Sequence, residues 1–298
     1  MHATSRSPVG ELACTVCGAL GSRAYRSRAE ACYYRCPACG VLFQHPAPDR
    51  SAVQEYANVE YEQGAYREYV QAREMKLEHF RRRIAIVGRF ARGRSLLDVG
   101  CSCGYFLEVA AAGGYDVHGV EFSGNAIAAA RPEIRDRIRR GHLEDLCTDG
   151  VPRFDVVTAF DIIEHLARPV DFLRQARQAL RPHGVLLVTT PDAGHWLGRL
   201  MGSRWPMLQP TQHLTLFSRR ALRLAFEEAG FRVAVVETAR KVVSAEYLLS
   251  QIQQLNPVVH ALARAASRLV PRSSMVRYRD LSLGEILAVG VNDGPSTR

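Results

Sequence analysis

The sequence predicts an α/β fold, a Rossmann-like parallel sheet preceded by a small cysteine-built module, on three observations. Residues 96–123 read as an apolar strand, a small-residue loop, a helix and a second strand ending on an acidic residue. Strand-like and helix-like segments then alternate to about residue 236, the pattern of a parallel sheet covered by helices. Two Cys-x-x-Cys-Gly knuckles, Cys14/Cys17 and Cys36/Cys39, stand ahead of all this.

The 298 residues, 47% of them hydrophobic, suffice for an α/β core of roughly 200 residues and one further module. The formal charge of +9 rests almost wholly on arginine, because Lys76 and Lys241 are the only lysines. Arg92, Arg94 and the arginines of 131–140 offer a basic face, but Glu133 and Asp136 interrupt it as on an ordinary solvated helix. Nucleic acid is therefore not the favoured partner. No apolar run approaches the roughly 18 residues of a membrane span, and residues 1–10 lack the apolar centre of a signal peptide. A cytoplasmic location is expected, where cysteines hold metals more often than disulfides.

Taken in order, 1–11 reads as a disordered tail and 12–48 as a ribbon around its four cysteines. The knuckles are separated by 18 residues, the spacing of a closed tetrahedral Cys14, Cys17, Cys36, Cys39 zinc site with a structural role; iron in a rubredoxin-like site uses similar spacing. After a proline-rich exit, 49–94 forms a largely helical connector over the active site. Its Tyr56, Tyr61, Tyr66 and Tyr69 either pack the helix on the sheet or fold over a ligand. The α/β core spans 95–291. Leu96, Leu97 and Val99 form its first strand, and Gly100, Ser102 and Gly104 let a ligand approach the backbone. Glu121, at the tip of the second strand, is placed to accept hydrogen bonds from both ribose hydroxyls. These residues imply an adenosine-containing cofactor. Cys101 and Cys103 serve as small residues in a tight loop.

The loop spacing is Asp-x-Gly-x-Ser-x-Gly, not the Gly-x-Gly-x-x-Gly of dinucleotide folds, and it resembles motif I of class I S-adenosylmethionine-dependent methyltransferases. Residues 154–161 look like that family's fourth strand, 162–166 like the loop after it, and 180–191 like its helix, Pro-x-Gly turn and fifth strand. The resemblance implies a seven-stranded sheet whose last strand is antiparallel, with S-adenosylmethionine as cofactor. It assigns cofactor contacts to Asp98, Gly100, Ser102, Gly104, Glu121, Phe122, Leu143, Phe160 and Asp161. Within that set Asp161 lies near the methionine portion and the Leu143 backbone near the adenine, while His142 replaces a familiar carboxylate. The proline-rich exit and tyrosine-rich segment narrow the likeness to bacterial methyltransferases with an N-terminal zinc ribbon, many of which act on sugars or other small molecules.

The segment 192–217 is far longer than the usual connection and carries His195, Trp196, Arg204, Trp205 and His213. It reads as an aromatic acceptor lid or as an Ω-loop packed by its own tryptophans. His213 is the leading general base, with His165 and Asp161 as further catalytic candidates; Glu164 and His165 line the site or cap the next helix. A helix over 221–230, a sixth strand over 231–236 and a seventh over 285–291 complete the core. A helical insertion, 244–270, broken at Pro257, packs on the core, on a second subunit of a homodimer, or, through Arg264, Arg268 and Arg272, on a membrane. Residues 292–298 are a tail. The expected function is methyl transfer to an oxygen or carbon of a sugar-like or natural-product acceptor. The alternative is a ribosomal or transfer RNA base methyltransferase, disfavoured because the ribbon carries few basic residues and the lid lacks a motif for a flipped base.

Overall fold

The computed structural model describes residues 12–28, 31–49, 51–53, 55, 59, 72–147, 154–202, 205–210, 212–255 and 257–294. Tyr56, Tyr61, Tyr66, Tyr69, Arg204 and the 1–11 tail lie outside them, as do the last four residues of the 292–298 tail. The cysteine module is a meander of β1 (Arg23–Arg28), β2 (Ala31–Arg35) and β3 (Leu42–Gln44). Helix α1 (Arg73–Phe90) leads into the core, which continues through β4 (Ser95–Val99), α2 (Tyr105–Ala112), β5 (Asp116–Glu121), α3 (Gly124–Ala128), α4 (Pro132–Arg135), β6 (Ile138–Arg140), α5 (Leu143–Cys147) and β7 (Phe154–Phe160). A 3-10 turn (Ile163–His165), α6 (Pro169–Ala179), β8 (Leu180–Pro191), α7 (Trp196–Met201), β9 (Thr215–Leu216) and α8 (Arg219–Glu228) follow. The chain closes with β10 (Arg232–Val243), α9 (Ala245–Leu255), α10 (Pro257–Ser267), α11 (Arg272–Val276) and β11 (Arg279–Val291).

The large sheet has seven strands in the order β10-β11-β8-β7-β4-β5-β6. Strand β4 pairs in parallel with β5 and β7, and β11 runs antiparallel between β8 and β10. Because a strand alternates its side chains, Leu96 and Leu97 enter opposite layers, and both layers are apolar because helices cover both faces. Leu97, Val157, Leu186 and Ala288 pack with Leu173, Leu222 and Phe226 of α6 and α8. Leu96, Val156, Leu187 and Val289 pack with Phe106, Leu107 and Val87 of α2 and α1.

Three elements depart from the sequence expectations. First, the turn at 181–184 does not separate a helix from a strand: β8 begins at Leu180, and the turn is taken up as an irregularity between the pairs Phe154↔Leu180 and Val156↔Val185. Second, the last two strands are longer than the apolar periodicity of 231–236 and 285–291. Their antiparallel ladder continues to Val243↔Arg279, where the charged residues Glu237, Arg240, Lys241 and Asp280 break up the apolar pattern.

Third, 192–217 is not an aromatic lid over the sheet. Its end forms β9, which pairs with β3 (Leu42↔Leu216, Phe43↔Thr215) and becomes the fourth strand of the cysteine module's sheet. Trp205, 7% exposed, packs there with Tyr33, Leu42, Leu208 and Leu216, whereas Trp196 is 65% exposed. A large aromatic surface is best buried where a second apolar sheet offers itself, and the module supplies that sheet. The insertion 244–270 is helical, with Pro257 at the first position of α10, where its missing N–H costs nothing. Among the described residues no helix is long and apolar enough to cross a membrane.

Candidate active site and cysteine centre

A cavity of about 850 Å³ opens beside the carboxyl ends of β4, β5, β7 and β8, where open α/β sheets receive ligands. Asp98, Gly100, Ser102, Glu121, Phe122, Leu143, Phe160, Asp161 and His165 all line it. Gly104 does not; it caps the N-terminus of α2 at φ 75°, and a Cβ there would lie 2.5 Å from Ile134. Its glycine serves the turn and the packing. Gly100 is on the wall at φ 69°, and a Cβ on it would meet the Ile162 side chain at 2.2 Å.

Glu121 is 3% exposed. Its two carboxylate oxygens each accept one backbone N–H, from Ser102 and from Ser123, both at 2.9 Å, so the β4–α2 loop is tied to the tip of β5. Burial raises its pKa and these N–H donors oppose the rise. Asp98, behind the loop, accepts the Thr158 hydroxyl at 2.6 Å; burial pushes it up to about 7 against that hydrogen bond.

Asp161 ends β7 in the left-handed region, φ 57°, a conformation that costs a non-glycine residue free energy and turns its carboxylate toward the cavity wall. The Thr189 hydroxyl donates to it at 2.9 Å, and Lys241 Nζ lies 3.8 Å away. Desolvation within the cavity wall would by itself raise its pKa, although the side chain is 46% exposed, but Lys241, the Thr189 hydroxyl and Arg83 together hold it down to about 2. Lys241 also pairs with Glu285 of β11. Lys76 and His79 of α1 line the same region. Burial, reinforced by Lys241, lowers Lys76 to about 8, and burial with the nearby Arg83 lowers His79 to about 3.

The 3-10 turn after β7 presents Glu164 and His165. Glu164 is 1% exposed and accepts the Thr190 hydroxyl at 3.0 Å; burial, with Asp161 nearby, raises its pKa well above the usual range. His165 Nδ1 lies 2.9 Å from the Gln212 carbonyl, and His213 Nδ1 lies 2.8 Å from the Met207 carbonyl. A carbonyl only accepts, so each Nδ1 carries the proton and Nε2 is the basic nitrogen. The two imidazoles meet at a tilt of 58°, with 5.0 Å between centroids. His213 packs behind His165 at 7% exposure and is not on the cavity wall. Burial and His165 lower its pKa to about 4. Glu164, His165 and His213 bring ligand atoms within 4.8 Å of one another, a set that can share a proton or hold a cation.

In the N-terminal module all four predicted thiols converge, with one sulfur from each cysteine within 4.8 Å of the others. Cys14 and Cys39 Sγ are 3.6 Å apart, as are Cys17 and Cys36. Bonds of about 2.3 Å in a tetrahedral zinc site put sulfurs about 3.8 Å apart, so the donor set fits such an ion. The N–H groups of Val16 and Cys39 point at Cys14 and Cys36 Sγ, the backbone support that thiolates need.

Sequence reading misses Lys76, His79, Lys241, Val242, Val243 and Tyr247, all on the cavity wall. One signal was available: in a chain whose 39 basic residues are otherwise arginine, both lysines stand in this cavity. Of the expected lid, Gln212 and Leu214 reach the wall.

A family model described as "Methyltransferase domain" matches residues 66–236, more than half of the chain. Among curated proteins, the ubiquinone biosynthesis O-methyltransferase of Azorhizobium caulinodans is 36% identical over 104 residues, 33% of this chain and 41% of that one. A probable S-adenosylmethionine-dependent methyltransferase of Mycolicibacterium smegmatis is 35% identical over 117 residues, 38% and 45% of the two chains. The matches thus span less than half the length of these relatives. Among solved structures, an S-adenosylmethionine-dependent methyltransferase from Archaeoglobus fulgidus superposes with a TM-score of 0.51 at 17% identity, covering 75% of this chain and 99% of that one. A possible histamine N-methyltransferase from Thermotoga maritima does so with 0.52 at 17%, covering 80% and 99%. At that identity the likeness speaks to the fold.

Proposed function

Because the chain belongs to the methyltransferase domain family, as a class I S-adenosylmethionine-dependent enzyme, we propose that it methylates an oxygen or carbon of a small molecule, a sugar-like or natural-product intermediate. The named O-methyltransferase relatives favour a hydroxyl oxygen. The observation that carries the reading is the cavity itself: about 850 Å³, room for the cofactor and one small acceptor, with apolar side chains interspersed with acidic, basic and imidazole groups along its wall. Arg168 is the one arginine among its described lining residues, where a phosphate-gripping groove would carry several.

The residues present fit the cofactor. Each Glu121 oxygen spends one lone pair on a backbone N–H, leaving the second for a ribose hydroxyl. Phe122 and Leu143 offer an apolar wall for the base, and Asp161, kept ionised by Lys241, offers a negative charge to the cationic methionine portion. S-adenosylmethionine supplies a methyl group made electrophilic by its sulfonium. The chain supplies alignment and exclusion of water. His165 Nε2 takes the acceptor's proton, and His213 is a positioning residue: neutral down to about pH 4, it puts no like charge beside His165 as that ring becomes protonated.

The four cysteines are assigned to one structural zinc ion within a ribbon at 12–48, followed by a connector at 49–94 and the catalytic core at 95–291. The experiment that tests the function is isotopic methyl labelling of cell extract with the purified enzyme, followed by separation into RNA, protein and small molecules. Label in the small-molecule fraction is expected; label confined to RNA would overturn the acceptor class.

A further inference from the structure

Between Glu246 and Asp280 the sequence contains no aspartate or glutamate, although the chain has 30 such residues in 298. The same stretch carries Arg264, Arg268, Arg272, Arg277 and Arg279. Among the described residues none of these five is paired with a carboxylate. A local excess of positive charge without internal compensation makes a field that attracts a negatively charged partner.

Helix α10 shows what else that partner must accept. At 3.6 residues per turn, His260, Ala263 and Ser267 share one face, and these are the partly sheltered residues of 260–267. Leu262 and Ala266 share another face, extended by Leu269 just past the helix end, and it is turned to solvent: the leucines are 69% and 89% exposed. Arg264 and Arg268 lie on a further, also exposed, side. A surface helix ordinarily buries its apolar stripe. Within 260–267 the sheltered side is the small and polar one, and Leu262, with Leu269 beyond the helix end, faces outward. Val270, Val276 and Tyr278 continue the exposed apolar surface into α11 and beyond.

We propose that residues 260–279 dock on an anionic lipid bilayer, with Leu262, Leu269, Val270 and Val276 entering the headgroup and acyl boundary and the arginines meeting lipid phosphates. An exposed apolar stripe with arginines on the other side is the pattern of a helix lying in the plane of a membrane surface; at 11 residues, α10 lies on the bilayer and does not span it. An RNA would satisfy the arginines and leave the outward leucines unexplained. A second copy would cover the leucines, but a symmetric interface sets the same patch against itself and would bring two acid-free arginine sets together. The proposal holds whatever the acceptor is.

The test is flotation of the full-length protein with vesicles of phosphatidylcholine alone and of phosphatidylcholine mixed with phosphatidylglycerol. Co-flotation with the anionic vesicles only is expected, weakening as salt rises. The double variants Leu262→Asp/Leu269→Asp and Arg264→Glu/Arg268→Glu should each lose at least tenfold in vesicle binding, with S-adenosylmethionine affinity and melting temperature unchanged. Failure to float with anionic vesicles overturns the proposal, as does equal flotation with neutral ones. So do two other results: RNA binding that the arginine variant loses and the leucine variant keeps, or a dimer in scattering measurements that the leucine variant dissolves.

Discussion

Tyr33, in the middle strand of the cysteine module, donates its hydroxyl to the backbone carbonyl of His213 at 2.9 Å, and is itself fully buried. The bond sits in a continuous set: the Gln44 N–H reaches the Leu214 carbonyl at 2.9 Å, and the Leu214 N–H reaches the Glu164 carbonyl at 2.7 Å. The backbone of the two-histidine site is thus anchored on one side by the module that holds the four cysteines.

The cysteine module should therefore matter for turnover as well as for folding. Elemental analysis is expected to find one zinc per chain, and Cys36→Ser should give an unstable or aggregated product, since metal binding supplies folding free energy to so small a unit. Mild chelation that leaves the large sheet folded should depress turnover more than cofactor affinity. A metal-free protein with full activity would remove the structural role.

Glu121→Ala should weaken S-adenosylmethionine and its demethylated product alike by roughly tenfold or more, about 1.4 kcal/mol, through loss of the paired ribose hydrogen bonds. Calorimetry with both ligands measures it. Unchanged affinities would place the ribose elsewhere.

His165→Ala should lower turnover by roughly 10² or more with cofactor affinity little changed, as expected for loss of a general base. His213→Ala should act through His165, with a smaller fall and a displaced acidic limb in the pH profile. If His213→Ala were instead the more damaging substitution, with His165→Ala nearly silent, the two roles would have to be exchanged.

Buried His213 also gives a pH signature in stability. Its pKa falls from the usual 6.5 to about 4 on folding, by burial and the neighbouring His165, so the unfolded chain binds the extra proton between those values. Its contribution is complete above about pH 6.5 and is lost as the pH falls toward 4. Denaturant melts of the wild type and His213→Asn across that window should differ in slope, the wild type losing stability faster on acidification. Parallel curves would mean that His213 titrates normally in the folded protein.

The fold was legible where periodicity alone decides it. The strand–loop–helix of 96–112 and Glu121 at the tip of β5 follow from local pattern, because a strand buried on both faces must be apolar throughout. The four cysteines were legible because thiolate geometry restricts their spacing. Segment 192–217 was not, since which sheet claims Trp205 depends on a partner strand more than 160 residues away. Nor were Lys241, Val242 and Val243, which reach the cavity on a strand extension whose mixed charged and apolar residues carry no alternating signal. His213 stands out in the sequence by its chemistry, and only the packing distinguishes a ring on the cavity wall from one behind it.

The placement of Lys76 and Lys241 gives the protein a built-in chemical reporter. Their ε-amines are the only side-chain amines in the chain, both line one cavity, and Lys76, with its pKa lowered to about 8, is the more nucleophilic near neutrality. An amine-directed acylating or reductively alkylating reagent, which on most proteins scatters over the whole surface, is here confined to the cavity and the chain's own terminus. The rate of such labelling becomes a gauge of what fills that space, readable by mass with no assay for the reaction itself.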